Sequence, residues 1–288
     1  MAERPTAAEA AASLRDDGFV VLRGGAAGQV RQLADDLATL SEQAAASRDD
    51  GSACPSGWHG TDGSLWSADR RALTQLQLTY RTSAAMLSVA CEPQVLNVLE
   101  HVLGPAIELF GEGQAFVKAP ESGTEKHWHQ DEAFFRHAGP GQFAALVYVQ
   151  DTTVESGALH VVPGSHLGGL RPHDDSDSHL ALDVRTSDAV AVEGAAGDIL
   201  IFGGLLLHGS PGNRSGRWRH AAVNRYRRAG DHVTETGTTA STMHPVDVPF
   251  GAPGSGAGHE GLLVRGTRPL RDAPGWAWPV WQQRVFPA

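Results

Sequence analysis

The sequence predicts a mainly β chain with flanking α-helices, its strands forming a barrel or a double-sheet jelly roll. Three observations point there. Up to Gly104 the apolar residues recur at helical spacing; beyond Gly104 short β-rich runs alternate with Gly, Pro and Asp turn signals; and no internal repeat interrupts this single change of texture. At 288 residues, 41% hydrophobic and 19% charged, the chain can bury a sizeable core as one domain. The expected layout is a helical part over 1–104, a β core over 105–230, and a loop with an aromatic tail over 231–288.

Thr6 and Glu9 make a capping-box pair before a helix over Ala10–Arg15, and Gly18 is its natural stop. Phe19–Leu22 reads as a short strand. A second helix is expected over Ala27–Ala46, with Val30, Leu33, Leu37 and Leu40 on one face. Asp49–Ser64, rich in Gly, Ser and Asp, reads as a loop. Ser83–Val102 reads as a helix or a helix pair, interrupted near Pro93 and closed by Gly104. The strands expected after that are Ile107–Val117, Phe143–Val149, Ala158–Val162, Ala189–Val192, Ile199–Phe202, Leu205–Leu207 and Ala221–Tyr226. His173–His179 is an exposed polar loop; a second metal site there is the sharper reading and a solvated flap the better one. Asp231–Gly261 is another long excursion. Trp276, Trp278, Trp281 and Phe286 crowd the tail, which is expected to lie over the barrel and complete its core.

The formal net charge of −10 disfavours general nucleic-acid and membrane-surface roles, which want clustered Lys and Arg. No apolar run approaches the roughly 20 residues that span a bilayer. Met1–Ala12 lacks the basic start and apolar stretch of a signal peptide. Cys54 and Cys91, the two cysteines, are too few for a disulfide framework, so a reducing cytoplasm is expected. A small-molecule substrate is the expected partner.

The most informative string is His127-Trp128-His129-Gln130-Asp131. Residues two apart on a strand face the same way, so His129 and Asp131 can point together at one ion. His208 ends the expected strand Leu205–Leu207. Two imidazoles and a carboxylate on one face of an ion form a facial triad with three positions open, two for a chelating co-substrate and one for O₂. In a chain with 14 histidines a lone His-x-Asp says little, and His127, on the same face as His129, is a rival first ligand. Specificity comes from the run His208–Arg219, which places an arginine on the next strand. A planar, permanently charged guanidinium is a natural clamp for a carboxylate held near a metal. Arg217 shares the facing parity of Arg219 and competes for that role. Trp128, Phe134 and Phe135 either line a pocket or pack the core. His160 and His166 read as structural.

His129–Asp131, the Gly157–His166 segment and the His208–Arg219 segment together resemble the phytanoyl-CoA dioxygenase family, over roughly Phe19 to Arg228. The resemblance implies a cupin-like double-stranded β-helix (a jelly roll) and an oxygenase that binds Fe(II) at His129, Asp131 and His208. It implies 2-oxoglutarate and O₂ as co-substrates, with succinate and CO₂ released. By position, Arg219 would bind the distal carboxylate of 2-oxoglutarate, with Ser210 beside it; Gln114 and Lys118 are further co-substrate contacts. Asp131 argues against halogenation, since family halogenases replace that carboxylate with a small residue. No basic cluster suited to a CoA phosphate is visible, so an acyl-CoA substrate is not implied. The expected activity is hydroxylation of a small metabolite, with desaturation or epoxidation as variants. Specificity is expected to lie in loops around Ser52–Ser67, Phe134–Gln142, Leu170–Ser187 and Asp231–Gly261. The rival classes are a cupin-type isomerase or sensor, which has no need of Arg219, and a non-catalytic ligand-binding barrel.

Overall fold

The computed structural model describes residues 5–50, 75–77, 80, 83–110, 113–121, 125–173, 182, 186–231, 233–236 and 261–268. The expected loop over 52–67, the aromatic tail at Trp276–Phe286, the stretch 237–260, and 174–185 apart from residue 182 lie outside the described residues.

The helical part holds α1 (Ala7–Asp16), β1 (Phe19–Leu22), α2 (Val30–Asp50), β2 (Gln75–Gln77), α3 (Ala84–Ala90) and α4 (Pro93–Leu103). The expected capping box is present: Thr6 Oγ1 accepts from Glu9 N, and the Glu9 carboxylate accepts from Thr6 N at 2.8 Å. The helix pair splits where Pro93 opens α4, as a residue without an N–H to donate should, and Gly104 closes it at φ +86°.

The β part follows with β3 (Ile107–Leu109), β4 (Gln114–Lys118), β5 (Lys126–His129), β6 (Phe135–His137), β7 (Phe143–Tyr148), β8 (Leu159–Val161) and β9 (Val190–Val192). It continues with β10 (Ile199–Gly203), β11 (His208–Ser210), β12 (Arg219–Arg228), β13 (Val233–Thr236) and β14 (Leu263–Arg265). The pairings are antiparallel throughout. One eight-stranded sheet runs β1-β10-β7-β12-β3-β14, with β4 attached to β12 and β2 to β4; a four-stranded sheet runs β5-β11-β8-β9; β13 pairs with β6.

Two apolar layers explain why β7 and β10 are apolar along their whole length. Ala145, Val147, Ile199 and Ile201 face the helices, joining Leu14, Leu33, Met86 and Leu99. The alternate residues Ala144, Leu146, Leu200 and Phe202 face the small sheet, joining Leu159, Val161 and Val192. A strand covered on both sides needs no polar face. The large sheet is thus the middle layer, and the second apolar layer separates it from the small sheet.

Two expected strands differ. Leu205–Leu207 is a turn, with Leu206 N donating to Gly203 O at 3.0 Å, and the strand begins at His208. Leu206 and Leu207 are wholly buried, so the apolar run reflects burial of a turn rather than strand periodicity. Ile107–Val117 divides into β3 and β4, because β12 is long enough to pair with both in succession, at Tyr226–Arg228 and Arg219–Val223. Among the described residues no helix is long and apolar enough to cross a membrane.

Candidate metal centre

His129 closes β5 and His208 opens β11, and the two are cross-strand partners in the small sheet. Asp131 is not on the strand, as the spacing suggested. It opens a short 3₁₀ turn over Asp131–Ala133, and that turn, rather than strand parity, brings its carboxylate back beside His129. Asp131 Oδ1 lies 3.5 Å from His129 Nε2 and 3.7 Å from His208 Nε2. One donor atom from each of the three falls within 4.8 Å of the others, and all three residues are buried.

Each imidazole is aimed by its own backbone. His129 Nδ1 lies 2.7 Å from His127 O, and His208 Nδ1 lies 2.9 Å from Leu206 O. A carbonyl can only accept, so Nδ1 carries the proton and the Nε2 lone pair faces the cluster, the usual outer support of a ligating histidine. Burial pushes the His208 imidazole down to about 4, with His129 adding to it and Asp131 opposing. Burial alone would raise the Asp131 carboxyl, yet His129, His208 and Arg225 together hold it well below the usual carboxylate range. The carboxylate is therefore ionised and the His208 ring neutral, the states in which each can ligate a metal.

Buried side chains also hold the turn carrying Asp131. Glu132 accepts from His137 N at 3.0 Å and Gln142 N at 2.8 Å, and its Oε1 lies 3.0 Å from His137 Nδ1. Gln130 Nε2 donates to Gly169 O and Leu205 O, and its Oε1 accepts from Arg171 N. Gln130 thereby ties the metal strand to the turn before His208.

A cavity opens between the two sheets at this cluster. Gln114, Phe116, Lys118, Leu146, Arg219, Val223 and Arg225 line it from the large sheet, and Lys126, His129, Leu159, His208 and Ser210 from the small one. Phe110, Phe134 and Phe135 add an aromatic wall. Arg219 is buried; its Nη2 donates to Ser210 Oγ at 3.0 Å and to Gly157 O, and among the described residues nothing accepts from its Nε. Lys118, opposite Arg219 in the β4–β12 register, donates to the carbonyls of Ser210 and Pro211. Burial, reinforced by Arg219, pushes the Lys118 ammonium down to about 6, and burial pushes Arg219 down to about 10.

All seven residues singled out in the sequence thus line one cavity: His129, Asp131, His208, Arg219, Ser210, Gln114 and Lys118. The rivals fall away from it. The His127 side chain is 45% exposed and lies 3.4 Å from Glu125, and Arg217 is exposed in the turn before β12. His160 bonds Ala158 O, and His166 bonds Arg15 O. The sequence reading missed Arg225 and Lys126. Arg225 shares the parity of Arg219 on β12, a signal that was readable. Lys126 reaches the cavity through an irregularity in the β5–β11 register between His208 and Ser210, which strand alternation does not anticipate.

The family model described as Phytanoyl-CoA dioxygenase (PhyH) matches residues 14–221. The probable alpha-ketoglutarate-dependent hypophosphite dioxygenase of Stutzerimonas stutzeri is 28% identical over 143 residues, which cover 46% of this chain and 49% of that protein. L-proline trans-4-hydroxylase of Streptomyces griseoviridis is 27% identical over 184 residues, covering 55% of this chain and 65% of that protein. The chain therefore spans about half to two thirds of the length of these curated relatives. Among solved structures, the epimerase SnoN in complex with Fe3+, alpha ketoglutarate and nogalamycin RO superposes with a TM-score of 0.63 at 22% identity, covering 91% of this chain and 96% of that one. That likeness is one of fold.

Proposed function

The chain belongs to the phytanoyl-CoA dioxygenase family, and from that premise we propose that it is an Fe(II)- and 2-oxoglutarate-dependent oxygenase that hydroxylates an unactivated C–H bond of a small metabolite. The observation that carries the proposal is the convergence of His129, Asp131 and His208 on one point of a cavity that also holds a buried arginine, whose Nε has no partner among the described residues. The facing eight- and four-stranded sheets are read as a double-stranded β-helix, the site lying between them.

The residues fit the family's metal and co-substrate. Two imidazoles aimed at the cluster through Nε2 and one carboxylate are the donor set of a facial iron(II) site with open positions. His129, Asp131 and His208 would hold the ion. Bound iron(II) supplies O₂ activation coupled to oxidative decarboxylation of 2-oxoglutarate to succinate and CO₂. Arg219 would take the distal carboxylate of 2-oxoglutarate: its Nη2 is steadied by Ser210 and Gly157, and its Nε remains to donate. With its Nζ turned onto two backbone carbonyls, Lys118 lines that end without competing with the guanidinium for the carboxylate. Phe116, Leu146, Leu159 and Phe202 form a dry surround that strengthens the charged contacts. A metal-dependent isomerase of the same shape has no use for a buried arginine in the cavity beside the cluster, so Arg219 favours the oxygenase reading.

The test is turnover of 2-oxoglutarate. Purified protein with iron(II) and O₂ is expected to form succinate, to stop when a chelator is added, and to speed up when a substrate library supplies the prime substrate. Absence of succinate with every library member, under conditions where iron is bound, contradicts the proposal.

A further inference from the structure

Among the described residues lining the cavity four side chains are basic, namely Lys118, Lys126, Arg219 and Arg225, and one, Asp131, is acidic. This sits inside a chain whose formal net charge is −10, so the local excess of basic groups is not a property of the composition. The basic groups also fall at two ends. Arg219 and Lys118 are cross-strand partners beside Ser210. Arg225 lies six positions further along β12 on the same face, roughly 20 Å away at about 3.3 Å per residue. There its Nη1 donates to Gln114 Oε1 at 2.8 Å and its Nε is 3.9 Å from Asp131 Oδ2. One 2-oxoglutarate, whose carboxylates are separated by a five-carbon chain, cannot serve both ends.

Lys126 joins the Arg225 end. Its Nζ lies 5.8 Å from the centre of the Phe134 ring, and among the described residues it has no hydrogen bond and no ion pair. Loss of solvent lowers its ordinary pKa; Asp131 pulls it back up and Arg225 pushes it further down, which places the two cations in each other's field. Two positive groups facing each other across a cavity, with one weak carboxylate contact already committed to the metal cluster, are unfavourable until an anion arrives. Next to them stand Phe134, Phe135 and Phe110, the last two packed edge to face at 5.3 Å. An anion there would carry its apolar body against aromatic rings.

We propose that the prime substrate is a carboxylate-bearing molecule with an apolar or aromatic body, its carboxylate held by Arg225 and Lys126 on the side of the metal cluster away from Arg219. This rests on the oxygenase reading above. Arg225 and Lys126 then act as specificity-determining residues. Gln114 fixes the guanidinium, and Phe134 parks the ammonium until substrate binds.

The experiment uses the full chain loaded with manganese(II) and 2-oxoglutarate without oxygen. Calorimetry measures binding of three matched probe pairs: hexanoate, 3-phenylpropanoate and N-acetylphenylalaninate, each beside its neutral amide. At least one acid is expected to bind about tenfold or more tightly than its amide, and Arg225→Gln and Lys126→Gln are each expected to reduce that preference to below about threefold. Equal binding of acid and amide, failure of all three acids to bind, or a preference that survives in both variants overturns the proposal. Should Arg225→Gln not fold, Lys126→Gln carries the same comparison. The same titrations report 2-oxoglutarate binding: its absence sinks the oxygenase reading itself, whereas its presence with no acid preference sinks only the substrate assignment.

Discussion

His208 Nε2 lies 3.7 Å from Asp131 Oδ1, although the first residue opens a strand of the small sheet and the second opens a turn that leaves it. Neither position is set by the other. Glu132 and Gln130 hold the turn, and the Leu206 carbonyl orients the imidazole.

Single substitutions His129→Ala, Asp131→Ala and His208→Ala are each expected to abolish metal binding and turnover while leaving the fold intact, since three ligands are the minimum for this donor set. Asp131→Ala removes the one carboxylate and so the charge that offsets the metal. His127→Ala, by contrast, should bind metal as the wild type does, because that side chain points to solvent and Glu125. Metal content after dialysis, read beside circular dichroism, decides. Loss of metal in His127→Ala with retention in His129→Ala contradicts the ligand set.

Much of this site was legible in the sequence, though partly for the wrong local reason. Strand parity paired His129 with Asp131, and the actual cause of their proximity is the turn at Asp131–Ala133. The Leu205–Leu207 run pointed to His208 as a strand end, and it became a strand start behind a buried turn. Arg219 was readable from its spacing after His208 and from the family resemblance, whereas Arg225, further along the same strand, had no such marker. What local pattern did not contain was non-local pairing. β2 and β6 are short strands that exist because β4 and β13 lie alongside them. The register irregularity that turns Lys126 inward is also set by its partner strand.

Glu132 is expected to be a positioning residue for Asp131. It is buried and accepts from two backbone N–H groups, with His137 Nδ1 beside it. Glu132→Ala leaves those donors unsatisfied and should cost about 2–4 kcal/mol of stability together with weaker metal binding. Glu132→Gln, which keeps an acceptor oxygen, should recover part of both. Denaturant unfolding and metal titration of the two variants test it; equal losses in both, or none in either, contradict the role.

The metal-free protein is expected to lose stability as the pH falls through the window between about 6.5 and about 4. Burial, then Arg219, pushes His220 down to about 4, and burial, then His129, does the same to His208. In the folded chain both stay neutral in that window, and Gln150 Nε2 donates to His220 Nδ1 at 2.9 Å, a bond that needs the neutral ring. In the unfolded chain both take up protons near the ordinary value of 6.5. The unfolded state thus binds more protons, and acid favours it. Thermal unfolding at about pH 7.5 and about pH 5 should give a lower Tm at the lower pH, and a smaller drop for His220→Gln. An equal drop in the variant removes His220 from the account.

The most direct test of the central claim is calorimetric titration of 2-oxoglutarate into the iron(II)-loaded protein without oxygen. One equivalent per chain should bind the wild type, and none should bind the metal-free protein or Asp131→Ala. Arg219→Ala should bind about 30- to 1000-fold more weakly, the loss of roughly 2–4 kcal/mol expected when a buried charge-assisted contact is removed, while Arg217→Ala is unchanged. Binding that ignores the metal, or that is equally tight in Arg219→Ala and the wild type, contradicts the claim that this cavity is built to hold iron and 2-oxoglutarate together.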